Sequence, residues 1–193
     1  MLMKIYHVSY DLSDQQVKEN ELFHWYPVLE SLIFKESDVL DFSIGADGTI
    51  AITKKDNEVY IRTDKWERIS YGNYEHKNVS VYSSYLIYTI DSRNHLIQAF
   101  YDSPDTYSWA CLDCLKKYYQ ISCPISQMDD DYSDYRSLWI IGSDHYIYKY
   151  STNKKYIAIS ESPFKQIKVF NDQYKLELIS IITYGNIVME IGF

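Results

Sequence analysis

A unit of short strands and tight turns recurs along this chain, marked by the aromatic anchors Trp25, Trp66, Trp109 and Tyr156, which stand 41, 43 and 47 residues apart. The best-formed copy reads DFSIGADGTIAITKKDNEVYIRTDKWERIS. It predicts strands over Leu40–Ile44, Thr49–Thr53, Glu58–Arg62 and Trp66–Ser70, with turns at Ala46-Asp47-Gly48 and Lys55-Asp56-Asn57. Asp-Gly and Asp-Asn between alternating apolar residues are hairpin chemistry. A second copy predicts strands over Tyr85–Ile90 and His95–Tyr101, a turn over Asp91–Asn94, and a strand carrying Trp109. A third predicts Leu138–Ile141, Tyr146–Tyr150 and Lys155–Ser160, with Tyr156 in the tryptophan place. The N-terminal stretch supplies a strand in KIYHVSYDL and the anchor Trp25, and the C-terminal stretch from Gln166 supplies three strands.

Four short antiparallel strands in ~40–45 residues make one propeller blade. The chain is therefore expected to be all-β, a small β-propeller of about five blades, or alternatively four, closed by pairing of the N- and C-terminal segments. Such closure would explain why the first unit lacks an inner strand and the last an outer one. A single domain over residues 1–193 is expected from the length. An irregular β-sandwich of repeated hairpins would show similar strands and turns and is the competing architecture. Helix is expected only as a short turn before Pro27, where Ser13 and Asp14 supply an N-cap-like start. The most loop-like stretch runs from Ser126 to Ser137.

The first complete unit resembles the tectonin-like (tachylectin-like) family of β-propellers. The resemblance is carried by Ser43-Ile44-Gly45-Ala46-Asp47-Gly48-Thr49-Ile50, by Val59-Tyr60 and Arg62, and by Trp66-Glu67-Arg68-Ile69. Later units keep the skeleton as Leu86, Tyr88, Asp91, Leu96 and Trp109, and as Leu138, Ile141, Asp144, Ile147 and Tyr156, without the glycines. The resemblance implies a propeller. Through its sugar- and lipopolysaccharide-binding members it also implies a carbohydrate-binding lectin as one functional expectation. Lectin propellers usually repeat their binding residues blade by blade, whereas these units have diverged.

Candidate chemistry is sparse. Cys111-Leu112-Asp113-Cys114 with Cys123 invites a zinc site, but structural zinc usually takes four ligands, and no second pair or well-spaced histidine follows. The three cysteines are expected to be free thiols at strand ends. Asp129, Asp130, Asp131 and Asp134 offer oxygen ligands but lack the spacing of a calcium loop, and read as an acidic solvated loop. None of His7, His24, His76, His95 and His145 sits in a nucleophile or metal motif. The expectation is a protein that is not an enzyme, with no catalytic residue, metal or cofactor.

The net charge of −8 argues against nucleic acid and an anionic membrane as partners, since both call for clustered cations. No signal-peptide core is visible and no apolar run approaches the ~20 residues of a membrane span, so cytoplasmic residence is expected. Tyrosine is the outlier of the composition, 21 residues against 7 Phe and 4 Trp. Its ring suits half-buried strands and, when exposed, interfaces. Trp25, Trp66, Trp109 and Tyr156 are expected to pack between blades. Tyr71, Tyr74, Tyr82, Tyr85, Tyr132 and Tyr135 fall in or beside expected loops and, with the aspartates of 129–134, are the interface candidates. These features point to a protein-binding module. One form would be an immunity-type inhibitor that neutralises a basic effector or toxin through an acidic, tyrosine-rich surface. The lectin is the alternative.

Overall fold

The computed structural model describes residues 6–9, 24–27, 38–45, 47–70, 74–103, 106–123, 138–150, 156–158, 164–171, 177–183 and 188–192. Two compact units divide the chain, Met1–Val39 and Leu40–Phe193. In the first, β1 (Tyr6–Ser9) pairs antiparallel with β2 (His24–Pro27), placing Val8 opposite Trp25. The helical turn expected before Pro27 gives way to strand at residues 24–27. Pro27 closes β2, a position where its missing N–H is tolerated. The rest of the stretch from Ser13 to Leu32 lies outside the described residues.

The second unit is a succession of antiparallel meanders. Its first sheet holds β3 (Val39–Ile44), β4 (Ile50–Lys54), β5 (Val59–Arg62) and β6 (Trp66–Arg68) in that order. The second sheet holds β7 (His76–Ser83), β8 (Leu86–Asp91), β9 (Leu96–Ser103) and β10 (Thr106–Asp113). The third holds β11 (Tyr118–Ser122), β12 (Leu138–Gly142), β13 (Ile147–Tyr150) and β14 (Tyr156–Ala158). The fourth holds β15 (Phe164–Asn171), β16 (Glu177–Thr183) and β17 (Val188–Gly192). Four sequential antiparallel strands per sheet is propeller-blade topology. The anchors Trp66, Trp109 and Tyr156 each fall on the last strand of a sheet. The described ladders of the terminal strands are β1 with β2 and β16 with β17, so the expected pairing of the chain ends is not among them.

The second and third sheets each bury their two faces against different neighbours. On β8, Leu86, Tyr88 and Ile90 pack with Tyr118, Ile121, Leu138 and Ile140 of the third sheet. Ile87 points the other way, into a cluster with Val79, Val81, Ala99 and the first sheet's Ala51, Val59 and Ile61. On β12 the same alternation sends Leu138 and Ile140 back to the second sheet, and Trp139 and Ile141 on to Ile167 and Val169 of the fourth. Successive side chains of a strand leave opposite faces, so a strand covered on both sides becomes apolar throughout. Each fully buried aliphatic side chain contributes about 1.5–3 kcal/mol.

The turns are equally regular. Lys54–Glu58, Asp91–His95 and Gly142–Tyr146 each close with paired backbone bonds across the loop. Asn57, Asn94 and His145 take the left-handed place, at φ 64°, 68° and 66°. Asn tolerates that region better than most residues. A carboxylate from Asp56, Asp91 or Asp144 accepts a backbone N–H inside its own loop.

In the second unit two strands were not anticipated from the sequence, β7 and β11. Both are terminal strands of their sheets, with one edge that no ladder partner covers. Side chains from the preceding sheet accept those N–H groups. Asp41 Oδ2 takes the Val79 N–H at 3.1 Å and Ser43 Oγ takes Val81 at 3.0 Å. Ser80 Oγ takes Cys123 at 2.8 Å. Gln120 Oε1 and Ser122 Oγ take Ile167 and Val169 at 3.0 and 3.1 Å. Polar residues at alternate positions of β7 and β11 are thus sheet-to-sheet connectors, which hid both strands from a hydrophobic pattern search.

The cysteines also correct an expectation. Cys111 and Cys114 are joined by a disulfide with their Cα atoms 6.1 Å apart, within the usual range. Cys123 alone is a free thiol. It is buried, and burial pushes its pKa up to about 12. Among the described residues no helix is long and apolar enough to cross a membrane, and no group of His, Cys, Asp and Glu is placed to hold a metal ion.

Candidate binding groove

An open groove of about 640 Å³ lies between the first and second sheets of the second unit. One wall grows from the tight turn Ser84-Tyr85 between β7 and β8. The Tyr101 N–H on β9 donates to the Tyr85 carbonyl at 3.1 Å, and Tyr107 on β10 pairs with Tyr101 in the ladder. The three rings therefore fall in line. Tyr85 and Tyr101 meet edge to face at 5.6 Å, and Tyr101 and Tyr107 at 5.5 Å. Edge-to-face packing is the favoured geometry for aromatic quadrupoles. Tyr85 is 58% exposed and Tyr101 40%.

The other wall is the β5–β6 hairpin. It contributes Thr63, Asp64, Lys65, Glu67 and Arg68 above the apolar floor of Ile61 and Ile69. Lys65 pairs with Glu67 at 2.8 Å, and Arg68 with Glu58 at 2.9 Å. Acidic and basic side chains alternate here, so the groove is polar without a dominant sign.

Two contacts hold the walls at a fixed spacing, Ser84 to Asp47 and Trp109 to Ile69, and a third braces the tyrosine wall within its own sheet. The Ser84 N–H donates to Asp47 Oδ2 at 2.6 Å, and the Asp47 Oδ1 atom accepts the Thr49 N–H at 3.0 Å. Burial works against the Asp47 carboxylate, but the bonds from Ser84 and Thr49 outweigh it and hold its pKa below the ordinary value. The Tyr107 hydroxyl donates to the Ser84 carbonyl at 2.6 Å. Burial, aided by nearby Tyr101 and Asp47, raises its pKa to about 12, so it stays a donor at any physiological pH. Trp109 Nε1 donates to the Ile69 carbonyl at 3.0 Å, and its ring lies 4.4 Å from the buried His76 ring.

Of the tyrosines singled out in the sequence, Tyr85 lines the groove. Tyr82, expected in a loop, is 6% exposed within β7, because β7 extends through it and turns its ring into the core. Tyr74 is half-buried with its ring 6.1 Å from His76. Tyr71, Asp129, Asp130, Asp131, Tyr132, Asp134 and Tyr135 lie outside the described residues. Tyr101 and Tyr107 were missed. Their signal is the stretch Tyr101-Asp102-Ser103-Pro104-Asp105-Thr106-Tyr107, whose Ser-Pro-Asp is turn chemistry with a tyrosine at each end of the segment.

No protein-family model and no curated protein matches the chain. Solved structures do. An auxiliary nutrient binding protein from Bacteroides thetaiotaomicron VPI-5482 superimposes with a TM-score of 0.51 at 11% identity, over 79% of this chain and 47% of its own. The β-propeller domain of Cps50 (Swd1) from Myceliophteria thermophila gives 0.50 at 8% identity, over 75% of this chain and 51% of its own. SapL1 lectin in complex with α-methyl fucoside gives 0.53 at 13% identity, over 81% of this chain and 60% of its own. The chain thus spans 47–60% of the length of these structures. At such identities the likeness shows the fold alone: this chain is a β-propeller protein of diverged sequence.

Proposed function

We propose that the protein is a non-enzymatic binding module and that the groove is its ligand site, with a neutral saccharide as the ligand class. The observation that carries this reading is the pair of exposed rings, Tyr85 and Tyr101, facing Asp64 and Glu67 across a cleft of small-ligand size. Exposed aromatic faces stack on the C–H faces of sugar rings, and carboxylates accept their hydroxyls. The tectonin-like resemblance of residues 43–69 and the complexed ligand of SapL1 lectin are in keeping with it. A glycan array with the purified protein tests the proposal, followed by calorimetry on the best hit. Tyr85→Ala and Tyr101→Ala should each weaken binding about tenfold, equivalent to ~1.4 kcal/mol. An array with no binder ends this reading.

The net charge of −8 favours a second reading, a cytoplasmic immunity-type protein that neutralises a basic effector. Here the acidic stretch Asp129–Asp131 and Asp134 with Tyr132 and Tyr135 would meet the partner. Pull-down from the native cell, with the complex re-formed at low and moderate salt, separates it from the first. Recovery of no basic protein would end it.

A further inference from the structure

The bridge between Cys111 and Cys114 carries an inference independent of the groove and its ligand. We propose that it is a reversible modification site, opened and re-formed in the folded protein by a small thiol of the glutathione class. Only Leu112 and Asp113 stand between the two cysteines. A cross-link restrains the unfolded chain less as the loop it closes gets shorter, so a bridge of this span adds little to stability.

The loop is also held by other means. Asp113 Oδ1 accepts the N–H groups of Leu115 and Lys116 at 2.9 and 3.0 Å, and Asp113 Oδ2 accepts the Tyr118 hydroxyl at 2.8 Å. The Tyr118 N–H donates to the Asn94 carbonyl at 2.8 Å, and the Ser143 N–H to the Lys117 carbonyl at 2.9 Å. On the other flank Cys111 sits in the β9–β10 ladder opposite Ile97. None of these bonds passes through a sulfur, so opening the bridge leaves both flanks anchored.

Access differs between the two cysteines. Cys111 is half-buried on β10, whereas Cys114 lies past the end of that strand and is exposed. Exchange starts at a sulfur that solvent reaches, and exposed bridges are the labile ones. A small thiolate therefore attacks Cys114 Sγ. A new S–S bond forms there, the Cys111–Cys114 bond breaks, and its electron pair leaves on Cys111 Sγ, which takes a proton from water. A second small thiolate attacks the small-thiol sulfur of this mixed disulfide and releases Cys114 as a thiolate, which is protonated in turn. Two small thiols are oxidised to their disulfide and the bridge gains two electrons. The reverse sequence restores it. Local charge is mixed, Asp113 beside Lys116 and Lys117, and among the described residues no helix N-terminus lies at the pair. Without those aids to a thiolate the pair accepts small thiols and does not catalyse exchange in other proteins. Cys123 takes no part, because it is 4% exposed with its thiol against the Ser80 carbonyl, and burial keeps it protonated.

The full chain, incubated with rising concentrations of reduced glutathione, alkylated with iodoacetamide in the absence of denaturant and weighed by mass spectrometry, tests the site. Two labels should appear, at Cys111 and Cys114, with Cys123 unlabelled and near-UV circular dichroism unchanged. A second arm treats Cys111→Ser and Cys114→Ser with glutathione disulfide. The cysteine left in the first variant, Cys114, should form the mixed disulfide at least about tenfold faster than the Cys111 left in the second. Unchanged near-UV circular dichroism shows that the variants fold, and the wild-type arm decides alone if they do not. Labelling that requires denaturant, labelling of Cys123 along with the pair, or faster reaction at Cys111 would each overturn the proposal.

Discussion

The seam between the first and second sheets and the seam between the second and third use the same residue type to opposite ends. In the later seam Tyr82, Tyr88, Tyr118 and Tyr150 are buried and fill the space between sheets. In the earlier one the buried core is Ala51, Val59, Ile61, Ile69, Val79, Val81, Ile87 and Ala99, with no side chain larger than isoleucine. Those side chains are too short to fill the seam to its rim. Trp109 bridges what is left through a single hydrogen bond to the Ile69 carbonyl, Tyr107 bonds back to Ser84 of its own sheet, and the remainder is the groove. A tyrosine in this fold is a filler where large residues close the seam, and a lining where small ones leave it open.

The widest gap between the seams should appear on truncation. Tyr118→Ala removes a ring that is 1% exposed and leaves Asp113 without its hydroxyl donor, and should cost about 3–5 kcal/mol in urea unfolding. Tyr101→Ala, at the rim of the earlier seam, should cost less than about 1 kcal/mol. Equal losses would erase the distinction between filler and lining.

Acid should act on the earlier seam. His76 is buried there against Trp109, with Nδ1 2.8 Å from Thr89 Oγ1. Burial lowers its pKa from 6.5 to about 4, against the opposing pull of Asp91. Between these values the unfolded chain takes up a proton that the folded chain refuses. The contribution of neutral His76 is complete above pH 6.5, shrinks as pH falls and is gone below about pH 4, on the order of 3 kcal/mol in all. Unfolding free energies from pH 7 to 4 for the wild type and His76→Gln should converge as the pH drops. Parallel curves would refute the assignment.

A smaller effect probes the spacing of the walls. A Cβ on Gly45 would come within 2.7 Å of Val81 Cγ1 and 3.1 Å of the Tyr82 carbonyl oxygen. Gly45→Ala should therefore push the β3–β4 turn off β7, at about 1–3 kcal/mol. Gly48 has open space around it but φ +80°, so Gly48→Ala should cost only the left-handed backbone term, about 1 kcal/mol. Thermal unfolding of both variants ranks steric approach against backbone conformation, and a larger loss at Gly48 would reverse the argument.

Sequence reading reached the outer parts of the sheets better than the inner ones. Trp66, Trp109 and Tyr156 marked the last strand of three sheets, and Asp56-Asn57 and Asp91–Asn94 marked turns that form as expected. The inner strands β7 and β11 went unseen because their polar residues serve another sheet. Aligned on these bonds, the strands spell Asp41-Phe42-Ser43, Asn78-Val79-Ser80 and Gln120-Ile121-Ser122, and the fourth sheet continues as Gln166-Ile167-Lys168. This three-residue spelling is a better repeat marker than the aromatic anchors. The groove escaped for a different reason. Tyr85, Tyr101 and Tyr107 come together only through the β8–β9 and β9–β10 pairings, which no local pattern encodes. The disulfide is read only once the bulge between Cys111 and Asp113 brings the two sulfurs round.

Among the described residues, the bonds from side-chain acceptors to backbone N–H groups of the next sheet all point one way. Every acceptor side chain, Asp41, Ser43, Ser80, Gln120 and Ser122, precedes in the chain the N–H it satisfies. During synthesis the backbone N–H groups of each nascent sheet therefore meet side-chain acceptors that already exist, while the buried Thr53 hydroxyl of the first sheet waits for the Lys77 carbonyl of the second. Trimming the C-terminus exposes hydroxyls that water readily serves, whereas trimming the N-terminus orphans amides at the heart of the next sheet. For its backbone amides the fold has a direction of assembly, and it is that of the ribosome.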